Sequence, residues 1–185
     1  ERVRGRLREL TAEGVHVERV LTSVTCTARL NEERAAGRGR FVVDLHAMER
    51  LVLRLREGVG TEVDAVCGKV GGIGDYPRYF GPLSGRLHTV LSAERACSAY
   101  RFPGLGQLSF VMDADATDAL VMLASLVGKY VRELFMGRIG RFHVGAGAPN
   151  LPSGYHDPRT DRFVTATAGS PSRARVPPTC FERSR

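Results

Sequence analysis

The sequence predicts a single α/β domain, and three observations support this: the length, the balance of apolar and charged residues, and the alternation of strand-like with helix-like segments. The chain has 185 residues, of which 43% are hydrophobic and 25% are charged. This length suffices for one domain with a buried core, and the composition is typical of globular proteins. We therefore expect helices and strands to form layers around one core.

The first third of the chain contains one strong helix signal. Residues 1–13 are expected to form a charged helix, and VHVERV (15–20) a short strand. The segment RAAGRGR (34–40), with three arginines and two glycines, predicts an exposed basic loop. From Phe41 onward apolar residues recur at three- and four-residue spacing, which predicts an amphipathic helix ending near Gly58.

The remaining elements are predicted in the same way. EVDAVCG (62–68) and QLSFVM (107–112) are typical of strands, while residues 81–100 are expected to contain a helix and the start of a strand. DADATDALVMLASLVGKYVREL (113–134) predicts a helix, and after about residue 143 the abundant Gly, Pro, Ser and Arg predict loops with short elements. The apolar stripe of that helix consists of Leu120, Leu123, Ala124, Val127, Val131, Leu134 and Phe135.

Charge and cysteine usage narrow the classes of function. The net charge of +7 favours a polyanionic partner such as nucleic acid or an anionic surface, although a basic, Arg-rich proteome accounts for it equally well. The longest apolar run, ALVMLA, is too short to cross a bilayer, and we expect no membrane partner. Cys26, Cys67, Cys97 and Cys180 are widely spaced, which predicts reduced, mostly buried thiols in a cytoplasmic protein.

Carboxylates cluster after the strand at 107–112. On an extended chain Asp113 and Asp115 would point the same way, roughly 6–7 Å apart. Carboxylates at the end of a strand can bind Mg²⁺. The alternative is that Asp115 or Asp118 caps the following helix, and spacing alone favours the cap.

Three polar residues interrupt the apolar helix. Ser125, Lys129 and Arg132 share one helical face, which would suit contact with a phosphate. The alternative is an ordinary solvated face on which the cations pair with neighbours such as Glu133.

Two loops contain further candidate substrate-binding residues. CGKVGGIGDY (67–76) lacks the spacing of a phosphate-binding loop, but Lys69 could approach a backbone phosphate. In LPSGYHDPRTDRF (151–163), Tyr155 could stack on a sugar or base, or simply belong to a turn.

Several of these segments together resemble ribonuclease HII, a family of the RNase H-like superfamily. LNEERAAGRGRFVVDLHAMERLVLRL (30–55) resembles an Asn-containing segment and helix of that family, and SGYHDPRTDRF (153–163) resembles its late Gly-Tyr segment. The family has a metal-binding Asp ten residues before the Ser of its helix motif, and Asp115 holds that position. The helix motif, A-S-x-x-A-K-x-x-R-[DE], is matched by Ala124, Ser125, Gly128, Lys129, Arg132 and Glu133.

This resemblance implies an RNase H-like mixed sheet flanked by helices over residues 1–165, followed by a basic, loop-rich tail over residues 166–185. It implies an endonuclease that hydrolyses RNA in RNA–DNA hybrids, or ribonucleotides in duplex DNA, with Mg²⁺ or Mn²⁺. Asp115 would be catalytic and would bind metal together with Asp113. The substrate-binding residues would be Lys69, Ser125, Lys129, Arg132 and Tyr155.

The sequence departs from the family at two acidic positions. Nothing upstream of Phe41 matches the Asp-Glu of the family's first strand, and the chain starts without Met, which suggests an incomplete N-terminus. Gly68 stands where the family has another metal-binding Asp. A catalytically impaired nucleic-acid-binding protein is therefore a second hypothesis, and an enzyme acting on a small phosphorylated molecule through GKVGGIG is a third.

Overall fold

The computed structural model describes residues 2–70, 72–145 and 158–184. Helices dominate both ends of the chain, and the strands lie between them. The elements are α1 (Arg2–Ala12), α2 (Thr27–Ala35), α3 (Arg40–Val59), β1 (Val63–Gly68), a 3₁₀ turn (Pro77–Tyr79), β2 (Thr89–Ala93), β3 (Cys97–Phe102), β4 (Gly106–Val111), α4 (Ala114–Thr117), α5 (Ala119–Val144), α6 (Pro158–Ala166), α7 (Ser170–Arg173) and α8 (Pro178–Phe181).

The four strands form one mixed sheet in the order β1-β4-β3-β2. β1 is parallel to β4, whereas β2, β3 and β4 form an antiparallel meander. Helices flank this sheet, so the predicted α/β class is confirmed. The predicted strands at 62–68 and 107–112 correspond to β1 and β4.

The core lies between α3 and one face of the sheet. Leu45 and Val52 of α3 are buried there, and the Tyr76 ring stacks on Phe110 of β4 with centroids 3.9 Å apart. The predicted helix is confirmed, but it ends at Val59, one residue beyond the expected Gly58. Gly60 caps it, since its left-handed φ of 78° and its N–H bond to the Arg56 carbonyl close the last turn. The core residues are Leu45, Val52, Tyr76, Phe80, Leu83, Tyr100, Phe102, Leu105, Leu108 and Phe110.

Two contacts show the direction of α3 relative to the sheet. Near its N-terminus, Phe41 packs on the ring of Tyr76, which itself stacks on Phe110 near the end of β4. Near its C-terminus, Arg56 Nε donates to the Gly104 carbonyl, 2.8 Å away, just before β4 begins. The helix is therefore antiparallel to β1 and β4, and its N-terminus lies at the edge where these two strands end.

The predicted strand at 15–20 is wrong. Residues 15–26 have no regular secondary structure, and Val15, Val17 and Val20 are exposed. β-Branched residues fit a strand, but a strand also needs a neighbour for its backbone hydrogen bonds. None of the four described strands lies beside this segment.

The helix predicted within 81–100 is also wrong. After turns near Gly81 and Gly85, the chain forms the hairpin of β2 and β3. Gly85 has φ of 73°, which interrupts helical backbone geometry. β3 is then stabilised from outside the segment, by pairing with β4 and by burial of Tyr100 and Phe102.

α5 confirms the predicted helix but not the burial of its apolar stripe. Leu120 and Leu134 are 73% and 48% exposed, while Val127 and Val131 are half-buried. The helix reaches β1 and α4, and much of its apolar surface is left uncovered in the described part of the chain. No helix within 2–70, 72–145 or 158–184 combines the length and apolar character of a membrane span.

The C-terminal residues contain more helix than the sequence indicates and pack against α2. The Asn31 side-chain amide donates to the carbonyls of Thr179 and Glu182, both at 3.0 Å, and its oxygen accepts from the Ser184 N–H at 2.8 Å. The residues expected to form a separate tail therefore contact the N-terminal half of the chain.

The four cysteines are free, but they are not mostly buried as predicted. Cys26 and Cys180 are exposed, and Cys67 and Cys97 are half-buried. Burial raises the pKa of the Cys67 thiol to about 11, so this thiol is protonated at neutral pH.

Candidate nucleic-acid interface at the ends of two parallel strands

The parallel pairing of β1 with β4 brings two distant segments together. Gly68 pairs with Val111, and the Lys69 N–H continues the ladder to the Val111 carbonyl at 2.8 Å. Asp113 and Asp115 follow directly. The glycine-rich segment after β1 and the acidic segment after β4 therefore leave the same edge of the sheet.

The metal-binding alternative assumed an extended acidic segment, but this segment is not extended. Asp113 has a left-handed φ of 51°, and its carbonyl accepts from the Ala116 N–H at 2.9 Å. Asp115 lies exposed in the first turn of α4. Because the chain turns into a helix at Asp113, the expected same-side arrangement of the two carboxylates on an extended chain is not formed.

Asp118 is the residue that caps α5. Its Oδ1 accepts from the backbone N–H groups of Leu120 at 2.8 Å and Val121 at 3.0 Å. This satisfies donors that have no partner within the first helical turn. Of the two caps considered from the sequence, Asp118 is therefore the cap of α5, and the Asp115 carboxylate is left facing solvent.

Lys69 has a structural role that its sequence context does not reveal. Its ammonium donates to the carbonyls of Glu94 at 3.0 Å and Arg95 at 2.9 Å, and to Ser98 Oγ at 3.2 Å. These three acceptors match the three protons of the ammonium group. The side chain ties the end of β1 to the turn between β2 and β3 instead of extending towards a ligand.

The polar face of α5 is solvated. Ser125 is half-buried, whereas Lys129 and Arg132 are exposed. Arg132 forms an ion pair of 3.1 Å with Glu133, the neighbour considered in the sequence analysis. Exposed pairs of this kind contribute little to stability, so both cations remain accessible to an anionic partner. Tyr155 lies outside the described residues.

The described residues do not fit a pair of divalent metal ions. No three or more His, Cys, Asp or Glu side chains come together as a metal-binding group within residues 2–70, 72–145 and 158–184. Two metal ions close together need several carboxylates, and at the end of β1 Gly68 provides none. A Cβ atom built at Gly68 would meet no atom within 4 Å, so packing does not require glycine there.

A second basic feature, which the sequence indicated only in part, lies at the N-terminus of α3. The predicted basic loop supplies Arg34, Arg38 and Arg40 to a cavity that Arg183 also lines. The glycine- and arginine-rich segment 34–40 indicates Arg34, Arg38 and Arg40 as basic residues of this region. No local pattern signals Arg183, because it reaches the cavity through the docking of residues 178–184 on α2.

Comparison with known proteins adds no relative: no family model, curated protein or solved structure matches the chain. The fold described above is that of an α/β protein with a four-stranded mixed sheet and an acidic segment after the parallel strands.

Proposed function

We propose that this chain is an RNase HII-like protein that binds RNA–DNA hybrids or ribonucleotide-containing duplex DNA at the edge where β1 and β4 end. The observation that carries the proposal is the proximity of two segments far apart in sequence. In the family that the chain resembles, the positions of Gly68 and Asp115 belong to one site. The parallel pairing of Gly68 with Val111, four residues before Asp115, is consistent with this arrangement.

Charge supports the same partner. The chain carries a net +7, and phosphate contacts by Lys and Arg dominate the affinity of most nucleic-acid-binding proteins. At this edge Asp113 and Asp115 repel phosphates, so attraction has to come from cations further along α5. Lys129 and Arg132 are exposed on that helix and are the residues to which we assign phosphate contacts.

Salt-dependent binding tests this proposal. Fluorescence anisotropy of a labelled RNA–DNA hybrid, and of a DNA duplex with one ribonucleotide, is measured over a range of salt concentrations. The double variant Lys129→Gln/Arg132→Gln should bind about tenfold more weakly and lower the slope of log affinity against log salt by about two. The matched control is Arg50→Gln/Arg54→Gln, which removes two exposed cations from α3. Equal losses in both double variants would refute the assigned contacts, and salt-insensitive binding would refute the proposal.

Hydrolysis is a second candidate function, favoured by the exposed carboxylate of Asp115 in the first turn of α4, four residues after the end of β4. A two-metal mechanism requires more carboxylates than the described residues bring together at this edge, so we derive no metal-dependent step. The test incubates the same duplexes with Mg²⁺ or Mn²⁺ and compares the natural chain with Asp115→Asn. A nuclease that uses Asp115 should lose at least about a hundredfold in rate, because removing one essential catalytic group typically costs that much. Equal cleavage would exclude Asp115, and absence of cleavage would leave the binding function alone.

The open space at Gly68 allows a complementary variant. Gly68→Asp should fold normally, because the added Cβ meets no neighbour, and it places a carboxylate where the resembled family has one. Gly72→Asp, which adds the same charge to the following loop at another position without close neighbours, is the control. Metal-dependent cleavage gained only by Gly68→Asp would identify the chain as an impaired relative of an active enzyme.

A further inference from the structure

One side of α5 carries large apolar side chains that the described part of the chain leaves uncovered. Leu126 and Tyr130, in the middle of the helix, are 56% and 65% exposed. Single exposed apolar residues are common on protein surfaces, whereas contiguous patches of them mark contacts with other molecules. We call this side the open face of α5, and it consists of Leu120, Met122, Leu123, Leu126, Tyr130 and Leu134.

The internal contacts of α5 lie on the opposite side of the helix. Successive helical residues are about 100° apart, so Ser125 and His143 both lie roughly 140° around the helix from Tyr130. Ser125 is half-buried, and His143 Nδ1 shares a hydrogen bond of 2.8 Å with Ser170 Oγ and packs its ring on Phe181. The described elements therefore hold α5 from one side and leave the open face available.

The spacing along the open face is symmetrical about Tyr130. Leu126 precedes Tyr130 by four residues, and Leu134 follows it by four. When two copies of α5 lie antiparallel with their Tyr130 side chains opposite each other, Leu126 of each copy meets Leu134 of the other. Such a contact uses the same surface on both copies, which is the usual geometry of a two-fold dimer.

The charges at the two ends of α5 favour the antiparallel arrangement. Asp113, Asp115 and Asp118 lie at the N-terminal end, and Arg138 and Arg141 are exposed near the C-terminal end. In the antiparallel register the acidic end of each copy faces the basic end of the other, and Asp118 comes next to Arg141. A parallel arrangement would bring like charges together, which is unfavourable.

The open face is large enough for a dimer. A large apolar side chain has roughly 150–250 Å² of surface, so six side chains that are about half-exposed offer about 600 Å². A standard interface buries about 800 Å² per partner, of which about 65% is apolar in homodimers, or about 520 Å². The open face supplies this apolar area without help from the rest of the chain.

We propose that two copies of this chain form a dimer through antiparallel pairing of their α5 helices. The dimer does not depend on nucleic-acid binding. Arg132 lies roughly 160° and Lys129 roughly 100° around the helix from Tyr130, so both cations stay outside the contact. Arg141 of each copy then offsets the acidic segment of the other, which otherwise repels phosphates.

Sedimentation equilibrium of the natural chain, from micromolar to millimolar concentration, tests the dimer. Leu126→Lys should raise the dimer dissociation constant at least about tenfold, because the change affects a two-fold interface twice. Leu87→Lys is the matched control, since it makes the same change at an exposed leucine outside α5. Circular dichroism checks that both variants fold. A natural chain that stays monomeric, or equal dissociation constants for the two variants, would overturn the inference.

Cross-linking tests the orientation. The exposed Cys26 and Cys180 are first replaced by Ser, and Tyr130→Cys and Leu126→Cys are then oxidised separately in that background. Antiparallel pairing puts the two 130 positions opposite each other but the two 126 positions about 12 Å apart along the helices. A disulfide needs Cα atoms within about 7 Å, so only Tyr130→Cys should give a covalent dimer. Cross-links from both variants would indicate parallel pairing, and cross-links from neither would exclude this contact; either result overturns the inference.

Discussion

At the scale of single residues, Glu49 places a carboxylate in the core. It is fully buried on α3, and its carboxylate accepts from the backbone N–H groups of Gly81 at 3.1 Å and Leu83 at 2.8 Å. These bonds fix the turn that follows the 3₁₀ helix and so position Phe80 and Leu83 against the sheet. The sequence does not reveal this role, because Glu49 occupies a helical position that also suits a solvated acid.

Burial raises the pKa of the Glu49 carboxyl group, although the two N–H donors and the nearby charges of His46 and Arg50 oppose the shift. A raised pKa in the folded state means that ionisation costs folding free energy. The free energy of unfolding should therefore fall as the pH rises from the ordinary value near 4.5 through the raised pKa.

Glu49→Gln isolates this effect. In the natural chain the free energy of unfolding should fall by about 1.4 kcal/mol for each unit by which the pKa is raised. The neutral side chain of Gln should remove this loss. Urea unfolding of both chains at a series of pH values measures the difference between the two curves. Parallel curves would show that Glu49 does not titrate in this range. Glu33 does not produce this difference, because it is present in both chains. Bonding to Arg38 also lowers the pKa of Glu33, which gives the opposite dependence of stability on pH.

At the scale of elements, Lys69 links the end of β1 to the turn between β2 and β3, two elements that are not neighbours in the sheet. Lys69→Met should lower the free energy of unfolding by about 1–3 kcal/mol, because the Glu94 and Arg95 carbonyls lose a charged donor. Thermal or urea unfolding measures this loss. Lys129→Met, which removes an exposed charge, should change stability by less than about 0.5 kcal/mol.

Duplex affinity separates the structural role of Lys69 from a binding role. If Lys69 acts only as a link, Lys69→Met should bind the hybrid duplex as tightly as the natural chain at a temperature where both are folded. A loss of affinity without a loss of stability would instead support the phosphate contact that the sequence suggested.

The elements that sequence patterns predicted correctly are those with a strong internal signal. α3 has regular apolar spacing and a glycine stop, and β1 and β4 are short apolar segments with clear ends. Residues 15–20 and β2 show the limit of such patterns, because a strand depends on a partner that local sequence does not specify. The same reason explains why the helix α5 was predicted correctly but the burial of its apolar stripe was not. The helical spacing of apolar residues does not specify which surface covers them.

The candidate site was predictable to a similar extent. Spacing drew attention to Asp113, Asp115 and Asp118, and the structure places all three near the ends of β1 and β4. Their roles depend on backbone geometry that spacing cannot supply, namely the left-handed turn at Asp113 and the cap at Asp118. The position of Arg183 depends on packing between the two ends of the chain, which no local pattern encodes.

At the scale of the whole molecule, the sheet combines near and distant pairings. β2, β3 and β4 are joined by turns of three residues, at 94–96 and 103–105, whereas β1 pairs with β4 across a long connection, Val63 with Gly106. Closing a long loop costs more chain entropy than forming a hairpin. We therefore expect the meander to form first during folding and β1 to join it later, together with α3.

This folding order has a consequence for the candidate interface, because the parallel pairing of β1 with β4 defines that interface. The two segments come together only when β1 is paired with β4. The interface should therefore form late during folding and be lost early during unfolding. Native-state hydrogen exchange should show the amides of Ala65 and Cys67, which face β4, opening at a lower free energy than those that join β3 to β4. Equal opening energies would mean that the sheet forms as one unit. Under the expected order, a partly unfolded molecule would keep its hairpins and still be unable to bind.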